Sequence, residues 1–199
     1  MPNLTLTENI YNTEYRSLSM TEKFNIAFGI ACGMRHLHKN HIIHRDLKPD
    51  NVLIDHDMHP RISDFGLSKF LEKGYASTAA KGTPAYMAPE VISGDEYTYS
   101  ADVYSYGILI NELFSAKKPF SDAPTLFALF NRVLDNQRPE ITSNTPPQFA
   151  SLIKDCWCSE PNKRPSFDQI VERLQRDDFI LDGIDQKDVS SYRSIANVV

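Results

Sequence analysis

The stretch from Ser100 to Phe114 constrains the fold more than any other part of the chain. Its apolar residues lie on all sides of a helical wheel and not along one stripe: Val103, Tyr104, Tyr106, Ile108, Leu109, Ile110, Leu113 and Phe114. A helix that is apolar all round is stable only when other elements enclose it. The sequence therefore predicts a buried central helix, capped by Ser100, with other helices packed around it.

Helical periodicity and capping signals predict the surrounding helices. Ser19 and Glu22 form a capping-box pattern before a helix over about 20–39, and Ser166 and Gln169 form another before a helix ending near residue 176. The remaining predicted helices are Leu6–Tyr11, 124–135 with Asp122 as N-cap and Pro124 in the first turn, 147–157, and a tail helix through Val189, Tyr192, Ile195 and Ala196.

One small hairpin is the only β-structure that the sequence predicts, so the expected fold is mainly α. Residues 52–54 and 61–63 form short apolar runs on either side of a polar turn. Such a hairpin places Asn51 and Asp64 at its neighbouring ends, as two ligands sharing one metal ion require.

Composition narrows the class of protein. A length of 199 residues with 41% hydrophobic residues fits about one domain, and a net charge of −5 argues against nucleic acid or an anionic membrane as partner. Three cysteines do not indicate a disulfide framework, which suits a reducing compartment. Neither a signal peptide nor an apolar run of membrane-spanning length is visible, so the expected location is the cytoplasm.

Two motifs carry the chemistry. Residues 44–51 read His-Arg-Asp-Leu-Lys-Pro-Asp-Asn, and residues 64–66 read Asp-Phe-Gly. Phosphoryl transfer needs a base for the acceptor hydroxyl and oxygen ligands for Mg²⁺. Asp46 can serve as the base and Lys48 can neutralise charge on the transferred group. Asn51 and Asp64 can hold the metal.

These residues resemble the large C-terminal lobe of a eukaryotic protein kinase. The resemblance extends to the end of an activation segment, the start of the central helix and the closing helices, at residues 82–90, 102–107 and 156–165. It covers residues 1–176 as one kinase domain and leaves 177–199 as a helical tail. The fold class it implies is a helical kinase C-lobe with one hairpin.

The resemblance also indicates a subclass. Lys48 lies two residues after Asp46, as in serine/threonine kinases, and Thr83 resembles the threonine that bonds the catalytic aspartate and lysine in those enzymes. The Cys156-Trp157 pair and the Arg-Pro-Ser-Phe sequence at 164–167 resemble the tyrosine-kinase-like group. The chain is identified as a serine/threonine kinase of that group.

The resemblance implies ATP and Mg²⁺ as cofactors and a protein with a Ser or Thr hydroxyl as substrate. Leu53 would line the adenine, while Lys48, Asn51 and Asp64 would contact the phosphates and metal. The resemblance gives structural roles to five residues. His44 would pack beneath Phe65, Asp102 would bond the backbone of the catalytic loop (residues 44–51), and Glu90 would pair with Arg164.

Arg45 and Lys69 are candidates for a basic pocket that receives a phosphate on the activation segment. The candidate phosphosites are Ser77 and Thr78, with Tyr75 as a secondary candidate. A polar loop with solvated charges is the alternative, and the usual phosphosite position in the family falls on Ala79.

The small β-lobe of the kinase family is expected to be absent from this chain. None of the eight glycines fits the spacing of a Gly-rich phosphate loop. One wall of the ATP cleft would then be missing, which predicts impaired catalysis and an exposed surface around residues 52–54.

Three functions follow as hypotheses. The first is a serine/threonine protein kinase whose activity is impaired in this chain. The second is a non-catalytic C-lobe that binds other kinases or substrates through its helices and through the surface that would face the small lobe. A small-molecule phosphotransferase is the third, and residues 82–90 and 102–107 argue against it because such enzymes lack a platform for protein substrates.

Overall fold

A computed structural model describes residues 4–12, 17–65, 69–70, 82–95, 97–176, 179 and 181–196. Within them the helices are α1 Leu6–Tyr11, α2 Met20–Lys39, α3 Pro89–Ser93, α4 Tyr99–Ser115, α5 Leu126–Leu134, α6 Pro147–Cys156, α7 Phe167–Gln175 and α8 Gln186–Ala196. The strands are β1 Leu4–Thr5, β2 Ile42–Ile43, β3 Val52–Ile54, β4 Pro60–Ile62 and β5 Lys69–Phe70. Single 3₁₀ turns lie at Pro49–Asn51, Pro84–Tyr86 and Pro161–Lys163.

Helix α4 is the centre of the fold, as its apolar circumference predicts. Every residue from 101 to 114 is buried, and α2 and α6 pack against the helix. The predicted cap is wrong: the N-cap position is Thr98, and the Ser100 hydroxyl pairs with the Thr98 hydroxyl at 2.7 Å. The helix begins before Ser100, so this side chain lies within the first turn and cannot cap it.

The predicted capping boxes of α2 and α7 are confirmed. Ser19 Oγ accepts a hydrogen bond from the Glu22 amide at 3.2 Å, and Glu22 Oε2 accepts one from the Ser19 amide at 2.8 Å. Ser166 and Gln169 repeat the arrangement at α7. The reciprocal bonds satisfy amides that a helix N-terminus otherwise leaves unpaired.

Helix α5 is shorter than predicted and has a different cap. Its N-cap is Thr125, whose hydroxyl accepts a hydrogen bond from the Ala128 amide at 3.1 Å. Asp122 instead forms an ion pair with Arg132 at 2.8 Å. Thr125 is the cap because it directly precedes the first helical residue, where its oxygen can reach the free amides.

The β-structure is larger than the single predicted hairpin. Strands β3 and β4 pair in antiparallel register, Val52 opposite Ile62, and β1 adds a third strand on the other side of β3. Strands β2 and β5 form a second pair. Two-residue strands are too short to show an alternating pattern, which is why the sequence did not reveal them.

The expected exposure of residues 52–54 is also corrected. Val52 and Ile54 are buried in the core, and only Leu53 between them is partly exposed. Successive side chains of a strand point to opposite faces, so two of the three face inward.

The tail forms the predicted helix and packs on the domain. Val189, Tyr192 and Ala196 are the buried residues of α8, and the helix lies against α2. Among the described residues, no helix combines the length and apolarity that crossing a membrane requires.

Candidate active site

The catalytic loop rests on one buried carboxylate, that of Asp102 in α4. Its Oδ2 accepts a hydrogen bond from the His44 amide, and its Oδ1 accepts one from the Arg45 amide, both at 2.9 Å. His38 Nε2 lies 2.9 Å from the same Oδ2. Arg45 has a φ of 71°, a left-handed conformation that is unfavourable for this residue type. The paired amides hold the loop in this shape despite its cost.

Asp46 is the centre of the candidate site. Its Oδ1 accepts hydrogen bonds from the Thr83 amide at 2.7 Å and from the Thr83 hydroxyl at 2.8 Å. Its Oδ2 lies 3.0 Å from both Lys48 Nζ and Asn51 Nδ2. Lys48 Nζ also donates to Thr83 Oγ1 at 2.7 Å. Residues distant in the sequence thus converge on one carboxylate, with the contacts between Thr83, the aspartate and the lysine that the resemblance implied.

Two opposing effects act on the acidity of Asp46. Burial by itself would raise the pKa of this carboxyl. The hydrogen bonds from Thr83 and Lys48 and the positive charge of Lys48 outweigh burial and hold the pKa below its ordinary value. Asp46 is therefore ionised at neutral pH and can accept a hydrogen bond from a hydroxyl.

The lowered pKa predicts a pH-dependent contribution of Asp46 to stability. A carboxylate with a lowered pKa in the folded state stabilises the fold above its unfolded pKa, and loses this effect as the pH falls through the folded value. We expect the unfolding free energy of the native chain, relative to Asp46→Asn, to fall as the pH drops from 7 towards 3.

Urea titrations of both proteins at several pH values measure this difference. Asp182→Asn, which neutralises an exposed carboxylate of the tail, is the control for general charge effects. A difference between the native chain and Asp46→Asn that does not change with pH would contradict the prediction.

The hairpin brings the two candidate metal ligands to one place. Asn51 precedes β3 and Asp64 lies two residues after β4, and the strand ends are joined by the Ser63 amide, which donates to the Asn51 carbonyl at 2.9 Å. Asn51 Nδ2 donates to both the carbonyl and the carboxylate of Asp46, at 2.8 and 3.0 Å, so its Oδ1 points away from Asp46. An amide oxygen and a carboxylate fit Mg²⁺, which prefers oxygen ligands.

His44 and Phe65 have the predicted structural contact. The His44 ring is fully buried, its Nε2 lies 3.1 Å from the Ser63 carbonyl, and its centroid is 5.7 Å from that of Phe65. Phe65 keeps half of its surface exposed. Leu53, the candidate adenine contact, lies in β3 opposite Arg61 on one side and Thr5 on the other.

Glu90 and Arg164 form the expected ion pair. Arg164 Nη1 and Nη2 donate to the two carboxylate oxygens of Glu90 at 2.6 and 2.8 Å. The arginine also donates to the carbonyls of Cys158 and Ser100, at 2.7 and 2.9 Å. Its side chain is fully buried and that of Glu90 is 10% exposed. The pair joins α3, which contains Glu90, to the segment between α6 and α7, which contains Arg164.

The predicted phosphate pocket on the activation segment stays a prediction. Arg45 is buried and its guanidinium lies over the Tyr97 ring, 5.2 Å from the centroid. Ser77, Thr78 and the side chain of Lys69 lie outside the described residues.

Sequence reasoning missed a polar cluster beside the site. Glu112, buried in α4, accepts hydrogen bonds from Tyr11 Oη at 2.6 Å and from Tyr86 Oη. Burial raises the pKa of Glu112, although both hydroxyls act against the rise. The signal was present: a carboxylate in a helix that is apolar all round must have a buried partner. His38 was also missed, and neither its spacing nor its neighbours pointed to Asp102.

Comparison with known proteins agrees with this geometry. A family model described as protein tyrosine and serine/threonine kinase matches residues 3–174. A probable serine/threonine-protein kinase of Dictyostelium discoideum is 43% identical over 159 residues, 79% of this chain and 11% of the relative. The serine/threonine-protein kinase STY46 of Arabidopsis thaliana is 41% identical over 152 residues, 76% of this chain and 26% of the relative.

This chain matches a larger share of a third relative. The serine/threonine/tyrosine-protein kinase HT1 of Arabidopsis thaliana is 38% identical over 169 residues, 84% of this chain and 43% of that protein. The chain thus spans less than half the length of each of these relatives. The chain belongs to the eukaryotic protein kinase family, and its mainly helical fold with a small sheet is that of the family's C-terminal lobe.

Proposed function

We propose that this chain supplies the catalytic lobe of a cytoplasmic serine/threonine protein kinase that transfers phosphate from ATP, with Mg²⁺, to a protein hydroxyl. The observation that carries the proposal is the convergence of Thr83, Lys48 and Asn51 on the carboxylate of Asp46. A base, a cation and a metal ligand within hydrogen-bonding distance of each other are what phosphoryl transfer requires of a protein.

The crowding of Asp46 suggests how the site accepts a substrate. Each oxygen already takes two hydrogen bonds, Oδ1 from Thr83 and Oδ2 from Lys48 and Asn51. An ionised carboxylate has about four lone-pair positions, so an incoming hydroxyl must replace one donor. We expect Lys48 to be the displaced donor, because its flexible side chain could turn to the γ-phosphate of bound ATP. Asp46 would then accept a hydrogen bond from the substrate hydroxyl and take its proton as the hydroxyl oxygen bonds to the γ-phosphorus and ADP leaves.

Asn51 and Asp64 are the residues that would hold Mg²⁺. The bound metal would neutralise charge on the phosphates of ATP. Asn51 has a second task, because its amide nitrogen keeps the carboxylate of Asp46 in place. Leu53 would offer its partly exposed side chain to the adenine.

We expect the 199 residues alone to turn over slowly. They contain no Gly-rich loop of kinase spacing. Electrostatic stabilisation of a transition state is strongest in a site that excludes water. The chain should therefore gain activity when a small kinase lobe with such a loop is fused before it.

The test measures phosphate transfer from Mg·ATP to a generic acceptor protein, with the chain alone and with the fused form. Asp46→Asn is expected to lower kcat of the active form at least 100-fold, in line with the usual contribution of a general base. Asp50→Asn, which alters an exposed carboxylate in the same loop, is the control. Equal rates in Asp46→Asn and the native protein would refute the proposal.

A protein-binding module is the second candidate, and one observation favours it. Helix α5 exposes three large apolar side chains: Phe127 at 73%, Leu126 at 54% and Leu134 at 47%. Exposed apolar patches on soluble proteins often mark docking sites. If neither form transfers phosphate and ATP does not shift the melting temperature, this candidate replaces the kinase proposal.

A further inference from the structure

The segment beyond the family match is built into the domain. The match ends at residue 174, yet the buried side chains of α8 recur at Val189, Tyr192 and Ala196, the spacing of one helix face. The segment before α8 is also anchored, because the Phe179 ring packs edge-on against Phe149 with centroids 5.2 Å apart. This face lies on α2, the long helix that precedes the catalytic loop.

Two glycines of α2 leave the space that Tyr192 and the hairpin occupy. Gly29 and Gly33 lie one turn apart on the helix, and a Cβ atom on Gly29 would collide with Tyr192 Oη and lie 2.6 Å from Pro60 Cγ. A Cβ atom on Gly33 would lie 2.8 Å from Ile62 Cδ1. Both distances are shorter than carbon atoms tolerate. The absence of side chains at these positions therefore lets α8 and the hairpin approach α2 side by side.

Tyr192 connects the tail to the hairpin. Its ring stacks on that of His59, with centroids 4.1 Å apart and planes inclined by 23°. His59 belongs to the turn between β3 and β4, where Asp55 and His59 exchange backbone and side-chain hydrogen bonds at 3.0 Å. The tyrosine ring also packs edge-on against Phe28 of α2, at 6.3 Å between centroids. The tyrosine is only 5% exposed, wedged between α2 and the turn.

The hairpin in turn carries the candidate metal ligands. Its turn faces Tyr192, and its open end holds Asn51 before β3 and Asp64 after β4. Tyr192 is also linked to the open end of the hairpin by a cavity of about 300 Å³, which Tyr192, His59 and Phe65 line together. Phe65 directly follows Asp64 in the chain, so this cavity ends one residue from a candidate metal ligand.

Other contacts hold the tail without Tyr192. The Asp185 amide donates to Thr21 Oγ1 at 2.8 Å, and Asn25 Nδ2 donates to Asp188 Oδ2 at 3.3 Å. The Arg193 guanidinium lies over the Phe24 ring, 5.1 Å from its centroid. The tail therefore has several anchors on α2, whereas the ring of Tyr192 is stacked on the hairpin turn.

We propose that α8 is a positioning element of the kinase site, and that Tyr192 sets the place of the β3–β4 hairpin and through it the spacing of Asn51 and Asp64. The inference rests on the function proposed above, since it assigns these two residues to the metal. Tyr192 would act through the hairpin, so it is a positioning residue and not a catalytic one.

The test compares three variants of the full 199-residue chain. Tyr192→Ala removes the ring, Tyr192→Phe keeps the ring and its stacking, and Val189→Ala shortens a fully buried side chain of the same helix that does not line the cavity. Hydrogen exchange of peptides covering residues 52–63 reports the hairpin. Binding of Mn²⁺ with ADP, followed by electron paramagnetic resonance, reports the metal site.

We expect Tyr192→Ala to speed hairpin exchange at least tenfold and to weaken Mn²⁺ binding at least fivefold. Tyr192→Phe should restore both, and Val189→Ala should leave both near the native values. Equal effects of Tyr192→Ala and Val189→Ala would overturn the inference, since the tail would then act only on stability. If the native chain binds no Mn²⁺ with ADP, the metal site of the proposed function fails. Hairpin exchange then still decides whether Tyr192 positions the hairpin.

Discussion

Arg164→Ala is expected to lower the free energy of unfolding by about 3–5 kcal/mol, the usual cost of removing one partner of a buried ion pair. Arg164 is fully buried and holds both carboxylate oxygens of Glu90 as well as two backbone carbonyls. Its guanidinium also lies over the Tyr104 ring at 5.1 Å. Alanine would leave the carboxylate of Glu90 without its counter-charge in a place that little water reaches.

Urea unfolding followed by circular dichroism measures this loss. Arg173→Ala is the matched control, because Arg173 forms an ion pair of the same 2.6 Å length with Asp155, but the two side chains are 32% and 50% exposed. Surface pairs contribute only about 0–1 kcal/mol. The double variant Glu90→Gln/Arg164→Ala should be more stable than the sum of the single losses predicts. Similar losses in Arg164→Ala and Arg173→Ala would contradict the prediction.

Asp102→Asn is expected to have the second large effect, on stability and on the catalytic loop together. The carboxylate receives the His44 and Arg45 amides on different oxygens, and His38 on one of them. An asparagine offers one oxygen and turns an N–H group towards the other donor. Each buried donor left unpaired costs about 1–3 kcal/mol. Without its amide bond, Arg45 is expected to leave its left-handed conformation, which would displace the adjacent Asp46.

Two measurements test the expected effects of Asp102→Asn. Urea unfolding should show the loss of stability, and hydrogen exchange of peptides covering residues 44–48 should become at least tenfold faster. Ser105→Ala is the control: this buried serine of the same helix donates to the Tyr86 carbonyl at 2.8 Å and not to the catalytic loop. If both variants change loop exchange equally, Asp102 has no special role in holding the loop.

Most of the helices were predicted well, because the capping and periodicity signals that specify a helix lie within a few residues of each other. The boxes at Ser19 and Ser166 satisfy amides three residues away, so short-range hydrogen bonding specifies where α2 and α7 begin. The apolar circumference of α4 predicted its burial for an equally local reason. At α5 the sequence pattern led to the wrong cap, because it placed the start of the helix two residues too early and therefore selected Asp122 where the structure has Thr125.

Contacts between segments that are distant in the sequence could not be predicted from such local patterns. Strand β1 pairs with residues almost fifty positions later, and its two residues show no periodicity. His38 meets Asp102 across 64 positions, and Tyr86 meets Glu112 across 26. Such pairs depend on where whole helices pack, and burial of a polar residue indicates only that some partner exists.

The sequence by itself determined the family and the candidate chemistry of the site, because residues 44–51 and 64–66 fix the identity and order of a candidate base, a cation and two candidate metal ligands. Only the tertiary structure decided how these groups are held. Thr83 on Asp46, Asp102 beneath the loop and Tyr192 against the hairpin are each supplied by another segment of the chain. The physical reason is that side-chain chemistry is a property of each residue, whereas distance and burial are properties of the packed chain.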